Sequence, residues 1–253
     1  MKILAAGEPW IASNGYENAG VVKAYIYDDK MLKWQQLGED LTGLAKNEYF
    51  GWSIDLSDEG NRLAISPPLS GETEWGNEFG KVPIFELNEK EWTQRGKDLI
   101  GHFGDHLGES VSLSAHGDLL SIGAMYNDDR GPDSGRAMVY RWSEIESEYK
   151  LVGNYISGEA AGDHFGVSVS LSSNGILAVG GHANNEGYAK IFKYENTTLD
   201  FVSGFHDDIL GLLSIDLLIW ELLFLILSFS NENTENITQN ERKYELRTEQ
   251  GPK

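Results

Sequence analysis

FGWSIDLSDEG (residues 50–60), LGESVSLSAHG (107–117) and FGVSVSLSSNG (165–175) are one segment written three times. Their glycines, Gly51, Gly108 and Gly166, lie 57 and 58 residues apart. A fixed period of this size marks a solenoid, propeller or array. Within each copy apolar residues alternate with small polar ones: Ile54 and Leu56, Val111 and Leu113, Val169 and Leu171. Alternation of period two predicts a β-strand with two unlike faces. The off-face residues are mostly serine, which suits a sheet that another sheet approaches closely. The copies end on Gly60, Gly117 and Gly175, each followed by a fresh apolar run. These are predicted hairpin turns, and Asn174-Gly175 reads as a two-residue turn with positive φ at both positions.

A second strand follows at once in ILAAGEP (3–9), RLAISPP (62–68), LLSIGAM (119–125) and ILAVGGH (176–182). This makes a fourth copy at the N-terminus, without its first strand. Polar, Gly-rich loops lead to a third strand beginning at Val21, Lys81, Arg136 and Tyr188. A fourth strand carries an aromatic four residues before glycine: Trp34 before Gly38, Trp92 before Gly96, Tyr149 before Gly153. Near Gly204 the aromatic has shifted to Phe201, so the last copy is degenerate. Four short strands in each unit of 50 to 60 residues is the pattern of a propeller blade. The expected fold is an all-β propeller of about four four-stranded blades, with units at about 1–49, 50–106, 107–164 and 165–208.

The chain resembles FG-GAP repeat proteins, of the kind found in integrin α-subunit propellers. The "FG" stands as Phe50-Gly51 and Phe165-Gly166, and as Leu107-Gly108 in the middle copy. The "GAP" reads AAGEP, AISPP, SIGAM and AVGGH, intact in no copy. The resemblance covers roughly residues 1–208. It implies a propeller, a binding or adhesion function toward a protein or glycan, and a cell-surface or extracellular setting. Such propellers have about seven blades, so two readings fit: a fragment of a larger propeller, or a small ring closed by a late strand at LGLLSIDL (210–217). The family's Asp-rich loops bind calcium. The best counterpart here is YNDDRGPDSG, with Asn127, Asp128, Asp129 and Asp133, although their spacing lacks the alternation of a calcium loop.

Composition agrees with an array of turns: 29 glycines and 6 prolines in 253 residues. Cysteine is absent, so neither disulfides nor thiol chemistry is available. Forty acids against twenty bases leave a net charge of −20. Such a surface repels phosphate backbones, so nucleic acid is not an expected partner. MKILAAGEPW at the start has no apolar stretch of signal-peptide length.

After Asp208 the text changes. Residues 209–229 hold 15 Leu, Ile or Phe in 21 positions, with Asp216 and Glu221 as the only charges. Fifteen such residues favour insertion by roughly 4.5 to 9 kcal/mol, and two central acids oppose it by roughly 5 to 7. Three readings compete: a membrane anchor, a degenerate strand with an apolar continuation, and a gene-prediction artefact. Residues 230–253 form a polar tail with the composition of disorder.

Little chemistry is displayed. No nucleophile elbow, phosphate loop or HExxH is present. His106 and His164 occupy equivalent positions in GDHLG and GDHFG, which assigns them a turn role. No catalytic residue and no cofactor is expected, calcium excepted. The resulting expectation is a non-catalytic scaffold presenting loops. The alternatives are a propeller hydrolase, which needs unlike polar residues gathered at one end of the axis, and a non-functional fragment.

Overall fold

The computed structural model describes residues 2–70, 79–183, 186–195 and 198–206. Every regular element in them is a strand. The first sheet contains β1 (Ile3–Glu8), β2 (Val21–Asp28) and β3 (Lys33–Gln36), with β4 (Leu41–Thr42) on β2. The second unit supplies β5 (Ser53–Leu56), β6 (Arg62–Ser66), β7 (Lys81–Val82), β8 (Ile84–Asn88), β9 (Glu91–Gln94) and β10 (Leu99–Ile100). Its sheet runs β5-β6-β8-β9, while β7 pairs with β10. The third runs β11 (Val111–Leu113), β12 (Leu119–Ala124), β13 (Arg136–Ser143), β14 (Glu148–Leu151), with β15 (Ile156–Ser157) on β13. The fourth runs β16 (Ser168–Leu171), β17 (Ile176–Ala183), β18 (Glu186–Glu195), β19 (Thr198–His206). Each is an antiparallel meander, the blade of a β-propeller. The first strand of one blade lies beside that of the next: β5 against β11, and β11 against β16. Where the first unit lacks that strand, β1 lies against β5.

The apolar residue of each Phe/Leu-Gly pair fills the gap between blades. Phe50 is buried with Val22, Leu63 and Ile65. Leu107 is buried with Val82, Ile84 and Ile122, and Phe165 with Ala137, Val139 and Tyr188. Leucine serves in the middle copy because the site asks for apolar volume rather than an aromatic ring. The glycine that follows is held at φ of 91°, 97° and 92° (Gly51, Gly108, Gly166), a region that glycine enters without strain.

Three expectations are amended. The unit has a fifth short strand, since β4, β10 and β15 each pair with the start of the third strand. In the second unit Pro83 splits the third strand into β7 and β8, because proline offers no N–H to the ladder. The turn at Asn174-Gly175 is not a two-residue turn: only Gly175 has positive φ, at 81°. Ser172 pairs with Ile176 instead, leaving a three-residue loop, and the Ser172 hydroxyl accepts the Ile176 N–H at 2.8 Å. Ser57 and Ser114 cap Arg62 and Leu119 in the same way, at 3.0 Å each. The serine before each turn thus does part of the turn's hydrogen bonding. In the last blade Phe201 pairs with Phe192, where the β18–β19 register shifts. The strand proposed for closure (210–217), the apolar run and the polar tail lie outside the described residues.

Candidate functional site

The off-face serines reach the next blade through its backbone. Ser53 Oγ accepts the Val111 N–H at 3.1 Å, and Ser112 Oγ accepts the Leu171 N–H at 3.1 Å. Ser110 donates to the Gly166 carbonyl at 2.9 Å. At the position equivalent to Ser112 and Ser170 the second blade carries Asp55, whose Oδ2 accepts the Leu113 N–H at 2.6 Å. Each partner lies about one repeat further on, so the inner edge of one blade is satisfied by side chains of the blade before it. An inner strand's free edge would otherwise present unpaired amides.

A second repeated contact pins the loop leading into each blade. Glu48 Oε2 accepts the N–H groups of Leu44 and Ala45, and Asp163 Oδ2 those of Glu159 and Ala160. Asp105 accepts from His102. Each acid also grips a residue near the start of its blade's third strand: the first residue of β7 and of β13, and the third of β18. Glu48 pairs with Lys81 at 2.6 Å, Asp105 with Arg136 at 2.6 Å, and Asp163 accepts from the Tyr188 hydroxyl at 3.2 Å.

The calcium candidates fall within this latch. Asn127 donates to Asp105 at 2.8 Å, Asp129 pairs with Arg136 at 3.1 Å, and Asp128 Oδ1 accepts the Asp133 N–H at 2.9 Å. Asp133 itself takes φ of 55°. Asn127, Asp128 and Asp129 are thus engaged by Asp105, by the Asp133 amide and by the Arg136 guanidinium, which sits over the Tyr155 ring at 4.4 Å. Among the described residues no group of three or more His, Asp or Glu is placed to hold a metal ion. The fourth-strand aromatics divide: Trp92 donates to the Leu37 carbonyl of the preceding unit at 3.1 Å, whereas Trp34 stays 45% exposed beside Tyr27.

Repeat spacing gathers a different set of side chains at the Phe/Leu-Gly end of the blades. The residues just before the pair are Tyr49, His106 and His164, all left-handed with φ of 54°, 50° and 46°. The residue just after it is Trp52 or Glu109 in the second and third units. The turns following the second strands add Trp10 and Tyr126. Trp10 stands 4.7 Å from Tyr49 and 6.0 Å from Trp52, centroid to centroid. Trp52 Nε1 donates to Glu109 Oε1 at 3.2 Å. His106 lies 4.7 Å from Tyr126, Tyr126 5.6 Å from His164, and His164 stacks on His182 at 4.5 Å. The result is one aromatic rim with a carboxylate at its middle.

The rim's electrostatics follow from its half-burial. Desolvation raises the Glu109 pKa against the opposing effect of the Trp52 N–H. Burial also raises Tyr126, with Glu109 and Asp133 adding to it. His182 is lowered by burial and then by its stacked neighbour His164. Trp10 is 63% exposed and Trp52 41%, so two large rings face solvent next to ionisable groups. Reading His106 and His164 as turn residues holds for their backbone and misses their rings. The signal was available in the residues flanking Phe-Gly, which vary between copies while the pair itself does not.

The FG-GAP repeat family matches residues 101–140, which contain β11 and β12 and most of β13. The chain is therefore a β-propeller-type repeat protein, and its third unit carries an FG-GAP repeat. No curated protein sequence matches it. Among solved structures it resembles a protein from Lactobacillus plantarum, 12% identical with a TM-score of 0.50, over 80% of this chain and 52% of that one. It also resembles a candidate 6-phosphogluconolactonase from Bacteroides fragilis, 13% identical with a TM-score of 0.49, over 72% and 48%. The chain thus spans about half the length of these structures.

Proposed function

We propose that this protein is a non-catalytic binding scaffold whose ligand, a protein or a glycan, seats on the aromatic rim. The observation that carries the reading is the exposure of Trp10 and Trp52 in one cluster with Tyr49, edged by Glu109. Tryptophan and tyrosine supply large contact faces with a polar handle at little rotamer cost, and they dominate binding energy where they cluster. The acidic surface disfavours nucleic acid and leaves neutral or basic ligands.

Screening the full chain against an array of glycans and immobilised candidate proteins tests this. Whatever ligand is found, Trp52→Ala should weaken its binding about 30-fold, the loss of a hot-spot residue of about 2 kcal/mol. Trp34→Ala, which removes an equally exposed tryptophan elsewhere, should leave binding unchanged. Equal losses in both variants would refute the rim as the binding surface.

A further inference from the structure

We propose that a cavity on the propeller axis, separate from the rim, binds a small aliphatic amine with Asp55 as counter-ion to its ammonium group. The cavity measures about 210 Å³ and opens between β5, β11 and β16, with β17 behind. At roughly 30 Å³ per water it has room for about seven waters, enough for an amine of four or five heavy atoms. The inference does not depend on the rim having a ligand.

The repeat is what makes Asp55 informative. Its equivalents are Ser112 and Ser170. The structural duty of the position is to accept an N–H from the next inner strand, which Ser112 does for Leu171 and Asp55 does for Leu113. A hydroxyl suffices for that duty, so the fold does not require a charge there. The carboxylate accepts the N–H groups of Leu113 and Leu56 and has no ion pair among the described residues. A half-buried charge without a counter-ion is unfavourable, and a bound cation would relieve it. Burial indeed pushes the Asp55 pKa up, against the hydrogen bonds it receives.

The rest of the lining suits an alkylammonium ion. Ser168 and Ser170 line the cavity, and no side-chain hydrogen bond ties either hydroxyl to another described residue. An ammonium has three donors and no acceptor. One carboxylate oxygen and two hydroxyls match those donors in number. Ile54, Val111, Val169 and Val179 complete the wall with apolar surface for a short hydrocarbon chain. The net charge of −20 raises the local concentration of any cation.

Calorimetric titration of the full chain with n-butylamine at pH 7 tests the assignment, with n-butanol, calcium chloride and potassium chloride as comparison ligands. Saturable n-butylamine binding is expected, at least tenfold weaker in Asp55→Ser, with n-butanol indifferent to the substitution. Asp55→Ser installs the residue that the repeat itself uses, so the variant should fold. Should it not fold, the wild-type titration repeated down the acid range gives the same answer: amine binding must fall as the carboxyl protonates. Amine binding unchanged by Asp55→Ser or by acid overturns the proposal. So does a folded wild-type protein that takes up no amine, and so does calcium or potassium binding through Asp55 in the amine's place. Loss of rim ligand in Trp52→Ala with amine binding intact would show the two sites failing or surviving separately.

Discussion

The third and fourth blades perform one task with two chemistries. In the third, Asp105 holds the incoming loop and meets the guanidinium of Arg136, both nearly inaccessible. In the fourth, Asp163 caps a like loop and meets the neutral hydroxyl of Tyr188. The acid is the constant and its partner is the variable. Backbone amides in the loop demand an acceptor, whereas the third strand needs only to offer some donor. The same separation appears along the axis, where Asp55 and Ser112 accept equivalent amides.

The contrast is broken most severely at Asp105. Asp105→Ala strands the Arg136 charge in the interior, with only half-exposed Asp129 left beside it, and should cost about 3–5 kcal/mol in denaturant unfolding. Tyr188→Phe, the matching cut in the fourth blade, removes one donor and should cost about 1 kcal/mol. If the two losses prove equal, the distinction between an ionic and a neutral latch is wrong. Between them falls Phe165→Ala at about 3 kcal/mol, since it empties a fully buried site in the same blade.

Asp55→Ser should give the smallest change, and its sign depends on pH. The folded-state pKa of Asp55 is raised by burial, so its contribution to stability is fully present below the ordinary aspartate value of 3.8. It is lost as pH rises through the folded value, because the ionised group is desolvated. The variant should therefore gain on wild type with rising pH through the acid range and hold a constant margin by neutrality. Thermal unfolding across that range, without added amine, would show it. A margin that shrinks with rising pH would contradict the burial of an uncompensated charge.

Much of the blade was legible because its cause is local. Period-two alternation in SVSLS and the glycines at fixed spacing locate strands and turns with no knowledge of neighbours. Asn174-Gly175 misled because Ser172, two residues upstream, supplies a hydroxyl that closes a longer turn. The contacts of the calcium candidates were hidden for a different reason. Asp128 and Asp129 are adjacent in the chain, but Arg136 reaches Asp129 from the third strand and turns the loop into an ion-pair network.

The sequence by itself determined the all-β repeat and the order of the four main strands in each blade. These depend on hydrophobic alternation, turn chemistry and a period near 57, all written within one unit. Only the tertiary structure decided that Trp10, Tyr49, Trp52, Glu109, Tyr126 and the histidines share one rim, and that Asp55 faces a cavity. Both arrangements join residues of different units, as Trp52 meets Glu109 and as Asp55 shares its cavity with Ser112 and Ser170. Strands stacked around an axis convert that distance in sequence into contact, and no single unit carries the information.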